Sequence, residues 1–405
     1  MSFKDLIKLV AVVIVLFSWS PKNCYGAGGA KNRPSKEEDL ELENQLKILN
    51  KPPVKSIRTK FGDIYDCINI YKQPAFDHPL LKNHKIQMKP NLVLQEERNN
   101  GFTSGRFWSS DAEKSERKFH NQRCPTGTVP IRRTKKEELV NAKHYSNWGI
   151  SHHSVSAQLS DKKSYYGASA KMNTRNPLID HNDPNKFSTA QIWIQNGPTE
   201  EVNSIEFGWA VFPGLFGDNL TRVFGLWTAD GLKKTGCYNM LCPGFMQIDP
   251  MYSFGEVLSV ADYGETPKYM HFRVHRDPVT GNWWLFDGPD HAPLGYWPTQ
   301  ILPHLASNVS VIKYGGIAGG RIPSKPTPPL GNGKLPNPYL DFGYSCHMLT
   351  MKTINDKGKS EDVDATKLLL KGDTASSCYD IKLPAYASSY WGTVIFFGGP
   401  GGICR

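Results

Sequence analysis

An all-β fold is what the sequence predicts: an antiparallel β-sandwich C-terminal domain behind a smaller mixed segment. Three observations carry the expectation. The 405 residues include 36 Gly and 29 Pro alongside 17 Tyr, 19 Phe and 10 Trp, a usage that favours short strands joined by turns. From about residue 164 onward, short alternating runs recur at regular spacing. No long amphipathic helix is written between them, which points to antiparallel pairing.

Taken in order, the chain first declares its compartment. Lys4 and Lys8 precede the apolar run Leu9 to Phe17, and the small residues of Cys24-Tyr-Gly-Ala27 follow. This is the pattern of a secretory signal peptide over residues 1–26, with cleavage expected after Gly26. The apolar run is too short to span a bilayer comfortably. A secreted, extracellular protein is expected, with no membrane segment in the mature form. The formal charge of +10 favours association with acidic partners, including a cell-wall polyanion; no nucleic-acid partner and no cofactor are expected.

Residues 27–150 read as a separate mixed segment. Lys36 to Leu46 offers a short helix, with Ser35 as its cap and Glu38 three residues later. Ile57 to Tyr71 holds two β-like halves around Gly62. Gln73 to Pro79 is turn-rich, and Glu96 to Gly105 reads as a loop. The run Arg132-Arg-Thr-Lys-Lys136 puts four cations in five residues ahead of a short polar helix or linker. An exposed charged linker is a place where proteases cut, so the preceding segment reads as a removable prosegment.

The strands of residues 151–405 follow. Tyr165 to Met172, Ala190 to Gln195, Asn203 to Val211, Arg222 to Thr228, Tyr269 to His275, Asn282 to Phe286 and Ser310 to Tyr314 qualify, with Asp230-Gly and Thr280-Gly-Asn as turns. Arg321 to Leu340 carries six prolines and reads as a long loop. The third of these strands is the one with chemistry on it. Ile205, Phe207, Trp209 and Val211 alternate toward a core, while Glu206, Gly208 and Ala210 face the other way. A carboxylate beside two nearly bare positions leaves room for another molecule, so Glu206 is the site candidate on a groove floor. Trp193, Trp227, Trp283, Trp284 and Trp297 are core residues that could also stack on proline or sugar rings.

If Cys24 leaves with the signal peptide, seven cysteines remain, which in a secreted chain read as disulfides with one left over. Cys237 and Cys242 look like the ends of a small closed loop, and Cys378 and Cys404 bracket the final strand. Neither cysteine spacing nor His152-His153 has the pattern of a zinc site, so no metal is expected. Asn219-Leu-Thr and Asn308-Val-Ser are glycosylation sequons.

Longer motifs carry a resemblance. Asp66-Cys-Ile-Asn-Ile-Tyr-Lys-Gln-Pro-Ala-Phe-Asp-His-Pro and Cys124-Pro-Thr-Gly-Thr-Val-Pro-Ile-Arg-Arg resemble the activation peptide of the plant neprosin family. Ser204-Ile-Glu-Phe-Gly-Trp, Thr235-Gly-Cys-Tyr-Asn-Met-Leu-Cys-Pro-Gly-Phe, Gly281-Asn-Trp-Trp-Leu, Gly295-Tyr-Trp-Pro and Phe397-Gly-Gly-Pro-Gly resemble its C-terminal domain in order and spacing. The resemblance implies a secreted zymogen and a β-sandwich glutamic peptidase that cuts after proline at acidic pH. It implies disulfides Cys67–Cys124, Cys237–Cys242 and Cys378–Cys404, with Cys346 unpaired. It also implies two glutamates facing each other across a cleft. One, ionised, takes a proton from water; the other, kept protonated, donates one. Glu206 matches the first. The second belongs to a Gly-Gly-Glu motif, which here reads Gly315-Gly-Ile317. Glu256, Glu265, Asp287 and Asp290 are the candidate substitute acids, though their spacing does not match. Two functions follow: a prolyl endopeptidase with an altered pair, or an inactive relative whose groove binds Pro-rich protein or cell-wall polysaccharide.

Overall fold

In the computed structural model the chain is described over residues 36–91, 122–147, 151–287 apart from 181 and 184, 292–320, 326–339, 342–385 and 390–404. The expected signal peptide, Cys24, Ser35, the loop from Glu96 to Gly105 and Asp290 lie outside them. Leu40–Arg405 form one compact unit.

Two antiparallel sheets form the sandwich. The first runs, edge to edge, through β17 (Leu368–Gly372), β4 (Ser151–Leu159), β14 (Val311–Gly320), β6 (Phe187–Asn196), β7 (Asn203–Val211), β8 (Arg222–Thr228) and β9 (Cys237–Tyr238). The second runs through β10 (Met246–Gln247), β13 (Ala292–Trp297), β12 (Trp283–Asp287), β11 (Tyr269–Arg276), β5 (Gly167–Asn173), β15 (Cys346–Ile354), β19 (Ile395–Gly398) and β18 (Asp380–Lys382), with β16 (Ser360–Asp362) beside β15. Side-chain alternation decides which face of each sheet is buried. On β7 the alternation places Ile205, Phe207, Trp209 and Val211 in the core, all at 0% exposure. Phe207 meets Phe272 of β11 edge-on, with ring centroids 6.1 Å apart. Trp209 donates its indole N–H to the carbonyl of Asn173 on β5 at 2.9 Å, so a large ring is buried with its one polar atom satisfied. Trp227, Trp283, Trp284 and Trp297 are likewise core residues, each at 2% exposure or less.

From Leu42 onward the N-terminal segment packs against the sandwich. It consists of α1 (Lys36–Leu49), a three-stranded sheet of β1 (Lys55–Arg58), β2 (Ile64–Asn69) and β3 (Thr128–Arg132), and α2 (Lys136–Asn147). Cys67 on β2 is bonded to Cys124 just ahead of β3, and the other two bridges are Cys237–Cys242 and Cys378–Cys404. Cys346 is buried and free.

The basic run is not the exposed linker its composition suggests. Arg132 ends β3 and donates to Asp63 at 2.8 Å, Arg133 pairs with Asp66 at 2.6 Å, and Glu138 is buried at 3% exposure. Two of the four cations are thus held by carboxylates 69 and 67 positions away in the chain, which local composition cannot register, while Lys135 stays exposed. Among the described residues no helix is long and apolar enough to cross a membrane.

Candidate functional site: a groove over strand β7

The outer face of the first sheet holds a groove of about 500 Å³. Strand register writes its floor in rows. Lys313, Trp193, Glu206, Leu226 and Tyr238 lie side by side across β14, β6, β7, β8 and β9. The next row is Ser156, Gly315, Gln191, Gly208 and Phe224, and the one after it Ser154, Ile317, Thr189 and Ala210. His152, Phe187, Phe212 and Leu232 complete the walls. No described residue before His152 lines the groove.

The bare positions have a second cause besides leaving room. A Cβ built on Gly208 would stand 2.0 Å from the carbonyl oxygen of Ala190, and one on Gly315 2.0 Å from that of Val155. Both approaches are against backbone, so only glycine allows the strands to sit this close. The two glycines flank Gln191 and leave its side chain without neighbours in its own row.

Glu206 sits half-buried at the floor. Its Oε2 accepts from Gln191 Nε2 at 2.6 Å and its Oε1 from Ser204 Oγ at 3.0 Å; Gln195 in turn donates to Ser204 at 3.2 Å. Burial pushes the Glu206 carboxyl above the usual carboxylate range, against the pull of these two donors and of the Lys313 and His152 charges. Burial also raises the Tyr238 phenol, and the Glu206 charge adds to it. Lys313 is held below its usual value by burial, with Glu206 opposing and Lys371 contributing.

Among the described residues lining the groove, Glu206 is the only carboxylate. Ile317 lines it too, half-buried, and packs against the apolar wall of Phe187, Phe212 and Phe224. The substitute acids lie elsewhere. Glu256 is buried and accepts the Ser253 N–H at 2.8 Å, Glu265 accepts the Asp262 N–H at 2.9 Å, and Asp287 ends β12 on the other sheet. Of the five tryptophans singled out, Trp193 alone lines the groove.

Gln191, Ser204, Tyr238 and Lys313 were not candidates from sequence. The signal for two of them was present: Gln191 alternates with Ile192, and Lys313 with Ile312 and Tyr314, in strands already recognised. The sequons differ in availability. The Asn219 amide nitrogen is held by the Ile179 carbonyl at 3.1 Å, whereas Asn308 takes part as an acceptor, from Asn196.

Comparison with known proteins places these observations. The Neprosin family model matches residues 184–400, and the Neprosin activation peptide model matches residues 56–174. Among solved structures, the chain is similar to scytalido-glutamic peptidase with a peptide-based transition state analog, at 12% identity and a TM-score of 0.33, covering 62% of this chain and 98% of that one. It is similar also to SCP-B, a member of the Eqolisin family of peptidases in complex with the tripeptide Ala-Ile-His, at 11% identity and a TM-score of 0.31, covering 61% and 98%.

Proposed function

The chain belongs to the neprosin family, and from that membership we propose that it is a secreted zymogen-type protein whose groove binds extended, proline-containing peptides over Glu206 at acidic pH without efficient hydrolysis. The observation that carries this reading is Ile317. It occupies the groove where the family resemblance calls for a second glutamate, and Glu206 is the only lining carboxylate among the described residues. A lone carboxylate can take a proton from water or give one to a leaving nitrogen, but has no partner for the other half of the work. Losing one member of an acid/base pair lowers the rate by about a hundredfold to ten-thousandfold. The apolar walls remain suited to a proline ring.

We place the signal peptide at residues 1–26, the prosegment at 27–150 and the groove domain at 151–405. Three disulfides support an oxidising, extracellular compartment, and Asn308 is the better placed of the two glycan acceptors.

A second reading is favoured by one contact. The 2.6 Å bond from Gln191 to Glu206 sets an amide donor beside the carboxylate. A slow prolyl endopeptidase with Glu206 as base and Gln191 as its polar partner would use that pair. One experiment separates the two readings: incubation of the full chain at about pH 3 to 5 with a proline-containing peptide, where carboxylates titrate. The binding reading expects no cleavage by the wild type and cleavage gained by Ile317→Glu. Wild-type cleavage that Glu206→Gln abolishes would overturn it in favour of the slow peptidase.

A further inference from the structure

Two polar groups in the groove are left unanswered by the chain's own described residues. Gln191 is 1% exposed; its amide nitrogen is committed to Glu206, and its Oε1 accepts from no described donor. Lys313 lines the same groove half-buried and makes no ion pair or hydrogen bond with any described residue. Buried polar atoms are nearly always satisfied, and an ammonium drawn out of water without a counter-ion carries a penalty. Glu206 lies beyond ion-pair range of Lys313 and favours its charge only through space, while its two oxygens accept from Gln191 and Ser204. The other charges felt around these two groups are Lys371 and His152, both cations when protonated. The local field on the Lys313 side therefore calls for an anion.

The spacing gives the shape of that anion's carrier. Lys313 pairs in register with Trp193, and Trp193 with Glu206, so the two charged residues lie two strands apart. Neighbouring strands are about 4.8 Å apart and an extended chain rises about 3.3 Å per residue. The gap between Lys313 and Glu206 thus corresponds to about three residues of a peptide crossing the strands. A polyanion with a charge on every unit would place one of them over Glu206, which repels it whenever Glu206 is ionised. A peptide with one acidic side chain avoids that conflict.

Building on the peptide-binding reading above, we infer that Lys313 is a specificity-determining residue: the groove selects peptides with an aspartate or glutamate two or three positions from the residue lying over Glu206. The acidic side chain pairs with the Lys313 ammonium above Trp193.

The test is fluorescence anisotropy on the full chain at pH 6, with two labelled proline-containing peptides that differ only by Asp against Asn at that position. A charge-assisted hydrogen bond predicts about tenfold tighter binding of the Asp peptide. Lys313→Met should bring the Asp peptide down to the level of the Asn peptide, and Lys313→Arg should retain the preference. Equal affinities for the two peptides, or a preference that survives Lys313→Met, would overturn the inference while leaving peptide binding intact. Failure of both peptides to bind would remove the peptide reading and this inference with it. Binding of a short oligouronate that depends on Lys313, with no binding of the Asp peptide, would replace the peptide by a sugar acid.

Discussion

Two regions of this molecule hold charge on or beside the same sheet and treat it in opposite ways. At the seam between the N-terminal segment and the sandwich, Asp63 accepts from Arg132 and from Arg222, each at 2.8 Å. Arg222 also pairs with Asp218 and donates to the Gly255 carbonyl at 2.7 Å. Arg132 reaches Glu138 at 2.9 Å and lies over the Phe216 ring. Burial works against the Arg222 charge, and its carboxylate partners more than restore it. In the groove on the adjoining strands, Glu206 accepts from two neutral donors and Lys313 has no ionic partner at hydrogen-bond range among the described residues. The contrast separates two uses of a buried charge. Where every charge is answered by the chain itself, the arrangement fixes one geometry. Where one is left open, the answer comes from outside.

The seam side of that contrast is broken most directly by Asp63→Ala. The substitution removes the carboxylate shared by two buried guanidinium groups, leaving Arg222 with Asp218 and Arg132 with Glu138, and breaking a buried pair typically destabilises by about 3–5 kcal/mol. Urea unfolding of the full chain should show a loss of that size. A loss under about 1 kcal/mol, the range of exposed pairs, would mean the seam charges are solvated and the contrast is false.

A smaller effect is expected where the two regions touch. Tyr238 lines the groove, and three residues on, Leu241 packs both against the groove's apolar wall and against the Leu42, Leu49 and Leu139 cluster of the N-terminal segment. The Cys237–Cys242 bridge closes the turn that carries both. Replacing both cysteines by serine removes a loop constraint worth about 2 kcal/mol by chain entropy. If the loop couples groove and seam, peptide affinity should fall together with thermal stability. A fall in stability alone would show that the regions are independent.

How much of this was legible in the chain follows from the range of each interaction. The Glu206 strand could be read because a period of two assigns faces without knowledge of partners, and the core face came out as Ile205, Phe207, Trp209 and Val211. The Cys67–Cys124 bridge was reachable only through the resemblance, because loop length alone does not choose among cysteines. Asp63 and Arg222 are 159 positions apart, and nothing near either residue announces the other. The ion pairs of the basic run were out of reach for the same reason, while the short polar helix expected after it is present at Lys136–Asn147. Lys313 needed the register of β14 against β6, and register is a property of pairs of strands.

The smallest effect probes the groove side and turns on a sign. Burial raises the Glu206 carboxyl above its ordinary 4.5. The folded state therefore keeps its proton to higher pH than the unfolded chain does. The stability this brings is complete below the unfolded value and is lost as pH rises through the folded one. Asp277 has the opposite sign. It accepts from the Asn91 N–H at 2.6 Å and from Gln87 at 2.8 Å, and although burial alone would raise it, these and other donors hold it down to about 2. Its contribution is present above the unfolded value, 3.8, and is lost as pH falls toward 2. Glu206→Gln keeps the shape and stays neutral, so its thermal midpoint should match the wild type near pH 3 and exceed it increasingly from pH 5 to 7. Thermal scans across that range would decide it. A difference that does not change with pH would mean that the carboxylate is fully solvated when the groove is empty, and the open site would then owe nothing to desolvation.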